Sequence, residues 1–254
     1  MLTPHIPYLL KEMSGQLRPY VAEIYHEFSK IKSIIQEQPI DVILITSPHF
    51  QGGAFQIGIS NYYLYEFSQF NRSDIKDKRE GHLKISNLIQ TIGEEAGFLA
   101  PNDYQKISIV DYGTVVPLKF LDPGSNIPII PISISMGNFL DHINWGIKLR
   151  SIIDENNINA LFITSTELSQ TFSNNPKDKP TTHKEDLKFI NLLINHEIDE
   201  LVNFNKSYFH TTENELKTTY LLAGYSKEDQ GLLSRYTGVI GVGCAFVHFK
   251  SNLE

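Results

Sequence analysis

The sequence has little cysteine and no long apolar run. Its single cysteine, Cys244, has no partner for an intramolecular disulfide, which is typical of proteins in a reducing compartment. No stretch of about 18 apolar residues occurs, and the first residues do not form a charged segment followed by an apolar one, so neither membrane insertion nor secretion is predicted. We therefore expect a cytoplasmic protein without a membrane partner, in which Cys244 is a small buried hydrophobic residue.

An excess of positive charge is also missing. The 254 residues carry a formal net charge of −7 and the isoelectric point is near 5.7, which argues against the concentrated basic face that nucleic-acid binding requires. Hydrophobic residues make up 41% of the chain and charged residues 20%, as in an ordinary globular protein. No internal repeat or low-complexity segment is visible. We expect no nucleic-acid partner and a single domain over residues 1–254.

Apolar runs alternate with helical patterns along the chain. Several of the runs are continuous, which favours strands that are covered on both faces. The strand candidates are 41–46, 55–59, 106–110, 127–134, 159–164 and 239–249, and the helix candidates are 20–37, 81–95, 139–155, 183–203 and 213–224. This alternation predicts an α/β fold, with a central mostly parallel or mixed sheet flanked by helices on both faces.

Two histidines follow prolines at informative positions. In "LTPHIPYLL", His5 lies between Pro4 and Pro7, which hold the backbone extended. In "ITSPHF", His49 follows Pro48 just beyond a predicted strand. Ligands of open α/β sheets bind at the carboxyl ends of the strands, so both histidines suit a binding site. Position alone fits equally well with two histidines in ordinary proline turns.

Five segments occur in an order and at a spacing that match one family. They are "PHIPYLL", "ITSPHF", "DYGTVVPL", "STELSQ" and "TENELKTTYLLAG". Together they resemble the elements of the class III extradiol dioxygenases, the LigB-like family of ring-cleaving catalytic subunits, whose superfamily also includes Memo-type proteins. The resemblance covers nearly the whole chain, and five elements in order are specific for the fold family.

The resemblance implies a non-haem metal held by two histidines and one carboxylate. It makes His5 and His49 the histidine ligands, and such a triad leaves open positions for a catecholate and O2. Glu213 and Glu215 both fit as the carboxylate, and Glu215 is preferred because its spacing to Ala223-Gly224 is similar to that of ring-cleaving members. An acidic first turn that complements the helix dipole explains the other glutamate. Fe(II) is the expected cofactor, with Zn or Mn as alternatives, because the same triad accepts several divalent ions.

Two positions depart from the family pattern. Ring-cleaving members have two histidines beside the metal that hydrogen-bond substrate or oxygen and move protons, whereas this chain has Tyr112 and Gln170 there. A phenol has an unperturbed pKa of about 10 and an amide does not titrate, so neither replaces histidine as an acid or base near neutral pH. Tyr112 retains the capacity to orient a ligand. His183 is a candidate substitute, although a solvated residue in the first turn of a helix is the simpler interpretation.

These observations favour an enzyme over a binding protein. The first hypothesis is an extradiol-type dioxygenase that acts on a small catecholic or related aromatic substrate with O2, as in aromatic compound catabolism. The alternative is a non-catalytic Memo-like protein with a metal-binding or regulatory role. A carboxylate at 213–215, where Memo-type proteins have cysteine, favours the enzyme, and the two missing histidines favour the alternative. The family resemblance also implies a homo-oligomer, and some members require a small second subunit.

Overall fold

The computed structural model describes residues 1–101, 108–204 and 211–250, and its strands and helices lie within these ranges. None of the helices found there is both long and apolar enough to cross a membrane. The strands are β1 (Leu2–Thr3), β2 (Val42–Gln51), β3 (Tyr62–Phe67), β4 (Arg72–Glu80), β5 (Ile129–Ile134), β6 (Ala160–Ser165), β7 (Gln230–Val239) and β8 (Val242–Lys250). The helices are α1 (Lys11–Ser14), α2 (Ala22–Gln36), α3 (Leu83–Glu95), α4 (Tyr112–Leu121), α5 (Phe139–Glu155), α6 (His183–Ile194), α7 (Ile198–Val202) and α8 (Glu213–Tyr225).

A six-stranded mixed sheet, in the order β5-β2-β6-β1-β8-β7, organises the fold. The first four strands in this order are parallel, and β8 is antiparallel to both β1 and β7. Strands β3 and β4 form a separate two-stranded antiparallel sheet. Because β5, β2, β6 and β1 run in the same direction, their carboxyl ends meet at one edge of the sheet.

Apolar side chains cover both faces of this sheet. Val42 and Leu44 of β2 belong to a hydrophobic cluster with residues of α3, α5 and α8, whereas Ile43 and Ile45 belong to a second cluster with residues of α2 and α4. Successive side chains of a strand point to opposite faces, so a continuous apolar strand requires cover on both. The predicted α/β fold with helices on both faces is confirmed, and Cys244 is fully buried in the second cluster.

Three predicted elements differ from the structure. The strand predicted at 239–249 spans a turn, since Val239 ends β7 and β8 begins at Val242. The strand predicted at 55–59 is wrong: Phe55 and Ile57 form only isolated bridges, to Leu99 and Ile132. Both side chains are buried, so their alternation reflects packing against the core and not pairing in a sheet. The helix predicted over 183–203 ends at Ile194 and resumes as α7, because the backbone at His196 is left-handed, with φ of +56°. The strand predicted at 106–110 lies partly outside the described residues.

Helix α4 is an element that the sequence patterns did not predict. Pro117 lies inside it and has no N–H to donate to the carbonyl of Gly113, one turn earlier. The hydroxyl of Ser165, at the end of β6, donates a hydrogen bond to that carbonyl instead. A side chain from the neighbouring strand therefore compensates for the proline and allows the helix to continue.

Glycines allow helices α5 and α8 to cross in close contact. A Cβ atom on Gly224 of α8 would overlap the carbonyl of Ile143, and a Cβ atom on Gly146 of α5 would overlap the carbonyl of Leu221. The two backbones therefore touch where these glycines meet. Since α8 begins at Glu213, this crossing also fixes the position of its first turn relative to the sheet.

We predict that Gly224→Ala destabilises the protein by about 1 to 3 kcal/mol, the usual cost of overpacking a close-packed contact, because the added methyl group would force α5 and α8 apart. The measurement is the thermal unfolding midpoint by circular dichroism. Gly53→Ala is the matched control, since its Cβ atom would meet no atom within 4 Å. Equal melting temperatures for the two variants would contradict this account of the helix crossing.

Candidate metal centre

The predicted site residues lie at the edge where the parallel strands end. His5 follows β1 by two residues, and His49 lies in the last part of β2. The amino-terminal ends of α4 and α8 reach the same edge and bring Tyr112 and Glu215 to it. This is the edge at which open α/β sheets bind their ligands.

Three possible metal ligands converge there. The Nε2 atoms of His5 and His49 are 3.2 Å apart, and the Nε2 atom of His5 is 3.7 Å from Oε1 of Glu215. One ligand atom from each of the three residues lies within 4.8 Å of the others. His5 and Glu215 are buried, whereas His49 is exposed, so the cluster opens to solvent on the His49 side. These three side chains could hold one metal ion.

Hydrogen bonds orient the carboxylate of Glu215. Its Oε2 atom accepts hydrogen bonds from Thr166 Oγ1 at 2.7 Å and from the backbone N–H of Glu167 at 2.9 Å, which leaves Oε1 directed at His5. Glu213 is exposed and forms an ion pair with Lys217 at 3.2 Å. Residues two apart on a helix point to different faces. The structure therefore brings Glu215, and not Glu213, to the histidines.

A second buried carboxylate, missed by the sequence analysis, faces the same histidine. Glu167 follows β6 by two residues and is 8% exposed, and its Oε1 atom lies 3.8 Å from Nε2 of His5. Its Oε2 atom accepts a hydrogen bond of 2.9 Å from the side-chain amide of Gln170. The available signal was an acidic residue just beyond a buried strand, inside the segment "STELSQ".

Tyr112 forms a wall beside the two histidines. Its ring centroid lies 4.2 Å from that of His49. Asp111 caps α4 and accepts a hydrogen bond of 2.7 Å from Ser47, two residues before His49. A Cβ atom on Gly113 would overlap Ser47 Oγ and lie 3.0 Å from the His49 ring, so only glycine permits this close approach of helix and strand. The start of α4 is thereby fixed against the end of β2.

The remaining predicted residues occupy different places. Gln170 reaches the cluster through its hydrogen bond to Glu167. His183 begins α6 and is half-buried, and within the described part of the chain its side chain forms no hydrogen bond or ring contact with the cluster. The structure brings Tyr112 to the histidines directly and Gln170 indirectly, and it leaves His183 outside their contacts.

Burial shifts the pKa values of the cluster towards the uncharged forms of its side chains. Burial and the neighbouring His49 lower the pKa of His5 well below its usual value. The pKa of His49 is also lowered, because partial desolvation of its ring outweighs the attraction of Asp111. Burial raises the pKa of Glu167 to about 7, and burial together with repulsion from Glu167 raises the pKa of Glu215 well above its usual value. A divalent cation among these groups would stabilise both carboxylates in their charged form.

The pKa of Tyr112 is raised by burial and by the carboxylates of Glu167 and Glu215. Its phenol therefore stays protonated at neutral pH. In this state the hydroxyl is a hydrogen-bond donor and not a base.

Comparisons with known proteins agree with this geometry. Residues 1–247 match the family model of LigB, the catalytic subunit of aromatic ring-opening dioxygenase, and the chain therefore belongs to the LigB family. The family predicted from the five sequence segments is thus confirmed.

The chain is also similar to one curated protein and to one solved structure. Protein CA_C1420 of Clostridium acetobutylicum is 24% identical over 259 residues, which cover 95% of this chain and 55% of that protein. This chain therefore spans about half the length of that curated relative. The crystal structure of the uncharacterized protein JW3007 from Escherichia coli shares the fold, with a TM-score of 0.64 and 15% identity over 88% of this chain and 90% of the other.

We predict that Glu167→Gln stabilises the metal-free protein by about 3 kcal/mol at pH 8 and by less than about 1 kcal/mol near pH 5. The folded-state pKa of Glu167 is raised to about 7, so stability is lost as the pH rises from the usual glutamate pKa towards 7, because folding then holds a proton that the unfolded chain releases. Glutamine carries no such cost.

The measurement is urea unfolding in the presence of a chelator at both pH values. Glu37→Gln is the control, because Glu37 is exposed at the end of α2. A stabilisation of equal size at pH 5 and pH 8 would contradict the assignment of the effect to this carboxyl group.

Proposed function

We propose that this protein is a metal-dependent dioxygenase of the extradiol type, which opens the ring of a small catechol or related aromatic compound with O2. Membership of the LigB family supports this proposal. The observation that carries it is the convergence of His5, His49 and Glu215 at the carboxyl edge of the sheet. We propose Fe(II) as the metal, since two histidines and a carboxylate are the ligand set of non-haem iron oxygenases.

The donor atoms fit such an ion. Two imidazole nitrogens and one carboxylate oxygen lie within 4.8 Å of one another, and both histidines have lowered pKa values, so they are neutral and available as ligands. The second oxygen of Glu215 is held by Thr166 and by the backbone of Glu167. Ligands oriented by such hydrogen bonds are typical of protein metal sites. When bound by these residues, Fe(II) would supply open coordination positions for a chelating catecholate and the redox chemistry that reaction with O2 requires.

The residues around the ligands would position the substrate. The ring of Tyr112 lies beside that of His49 and offers an aromatic wall to a flat ligand. Its protonated hydroxyl would donate a hydrogen bond to a substrate oxygen. Gln170 would act through Glu167, since its amide donates to that carboxylate. Substrate would approach from the His49 side, where the cluster is exposed.

A second candidate is a metal-binding regulatory protein without catalysis. The observation in its favour is that the groups at the two usual proton-transfer positions, Tyr112 and Gln170, do not titrate near neutral pH, and that the pKa of Tyr112 is raised further by its surroundings. The two candidates agree on the metal ligands and differ in whether O2 is consumed.

We predict that wild-type protein loaded anaerobically with Fe(II) binds about one iron per chain and consumes O2 with at least one member of a catechol panel. His5→Ala, His49→Ala and Glu215→Gln should lose most of the iron, because each removes a donor atom of the cluster. Glu213→Gln should retain it, because Glu213 pairs with Lys217 away from the histidines.

The measurements are elemental analysis and O2 uptake on the same samples. Stoichiometric iron without O2 uptake would favour the regulatory candidate. Wild-type protein without iron would contradict the ligand assignment.

We predict that Tyr112→Phe lowers kcat by about 100- to 1,000-fold, the order of magnitude for loss of one hydrogen-bond donor to a reacting oxygen, and leaves the iron content unchanged. The aromatic wall is kept in this variant, so the change isolates the hydroxyl. The measurement is steady-state O2 uptake with the best catechol of the panel. An unchanged kcat would show that the hydroxyl does not contact the reacting atoms.

A further inference from the structure

Two carboxylates face His5 at nearly the same distance. Oε1 of Glu215 lies 3.7 Å from Nε2 of His5, and Oε1 of Glu167 lies 3.8 Å from the same atom. Both glutamates are buried, at 3% and 8% exposure. By its distance to His5 alone, Glu167 is placed as well as Glu215. The described residues whose ligand atoms all lie within 4.8 Å of one another are His5, His49 and Glu215, so binding by Glu167 requires its carboxylate to move closer to the other ligands.

Each carboxylate is oriented in the same way. The Oε2 atom of Glu215 is held by Thr166 and by a backbone N–H, and the Oε2 atom of Glu167 is held by the amide of Gln170. In both cases the hydrogen bonds occupy the oxygen that points away, and Oε1 remains directed at His5. Outer hydrogen bonds of this kind fix the ligands of metal sites and are nearly as important as the ligands themselves.

The two buried carboxylates, Glu167 and Glu215, favour the binding of a cation between them. Among the described residues, neither Glu167 nor Glu215 forms an ion pair with a lysine or arginine, and each lies within ion-pair distance of His5. A buried charge is costly unless it is paired or coordinates a metal. Two carboxylates and two neutral histidines would neutralise a divalent ion completely, whereas a single carboxylate would leave one positive charge in a buried site.

We propose that Glu167 is a fourth protein ligand, so that the metal centre of this chain consists of two histidines and two carboxylates. This inference rests on the metal site of the proposed function and extends it by one ligand. It also gives Gln170 a role, as a positioning residue that directs Oε1 of Glu167 towards His5.

The additional carboxylate has two consequences for the site. It makes the donor set richer in oxygen, which favours ions such as Mn(II) or Fe(II) over ions that prefer nitrogen or sulfur ligands. It also leaves an octahedral ion with two positions for small molecules, one fewer than a three-residue triad leaves. A chelating catechol would fill both, so Glu167 would have to leave the ion before O2 could bind to it.

The test uses Co(II) as a spectroscopic probe in the 254-residue chain. Wild type, Glu167→Gln, Glu215→Gln and the control Glu213→Gln are loaded anaerobically, and Co(II) affinity is measured by competition with a chelator. We expect Glu167→Gln and Glu215→Gln each to weaken binding about 10- to 100-fold and to change the visible absorption of the bound ion, because each alters its coordination. Glu213→Gln should change neither quantity.

A second variant protects the test against a folding defect. Gln170→Leu removes the hydrogen bond that orients Glu167 and leaves every proposed ligand in place. We expect it to weaken Co(II) binding several-fold and to shift the absorption in the same direction as Glu167→Gln. Circular dichroism establishes which variants are folded. If Glu167→Gln is not folded, the Co(II) affinity and spectrum of Gln170→Leu test whether Glu167 is a ligand.

The outcomes separate this inference from the proposed function. An unchanged Co(II) spectrum in Glu167→Gln would overturn the fourth ligand even if affinity falls, because Glu167 would then act through its charge alone. In that case the three-residue site and O2 uptake with iron would stand. Wild-type protein that binds no metal would overturn both proposals.

Discussion

Parallel pairing of β6 with its two neighbours is the interaction on which the site depends. Leu161 of β6 pairs with Ile43 of β2, and Thr164 pairs with Leu2 of β1. In this register β1 and β6 end level with each other, at Thr3 and Ser165, while β2 continues beside them to Gln51, so that His5, His49 and Glu167 lie side by side. A shift of one residue would turn each of these side chains to the opposite face. The apolar clusters on both faces hold the register and therefore also the site.

The helices complete the site through close backbone contact. Glycine at Gly113 lets α4 approach the end of β2, and glycine at Gly224 lets α8 lie against α5. The same contacts place Tyr112 and Glu215 at the amino-terminal ends of their helices, where both face the histidines. The cost is a group of ionisable side chains buried together, with pKa values displaced in the direction that removes their charge. Such displaced values are typical of functional sites.

The sequence predicted those parts of the site that depend on local pattern. Prolines beside His5 and His49, together with the apolar run before His49, placed both residues correctly at the ends of strands. The choice of Glu215 over Glu213 rested on family spacing, and in the structure it follows from the face of α8 that each residue occupies. Glu167 was missed because the orientation of its carboxylate is set by a hydrogen bond from Gln170. The hydrophobic periodicity of the sequence gives no information about such a contact. Helix α4 was missed for the same kind of reason, since its proline is compensated by a residue distant in sequence.

That compensation links two positions that are far apart in the chain. Pro117 leaves the carbonyl of Gly113 without its helical donor, and the hydroxyl of Ser165 supplies one. A residue without a hydroxyl at 165 is therefore compatible with this helix only if residue 117 has an N–H to donate. Positions 117 and 165 are expected to vary together among related chains, with proline at the first accompanied by serine or threonine at the second. The helix that carries Tyr112 and the strand that precedes Glu167 are thus coupled through the side chains at 117 and 165.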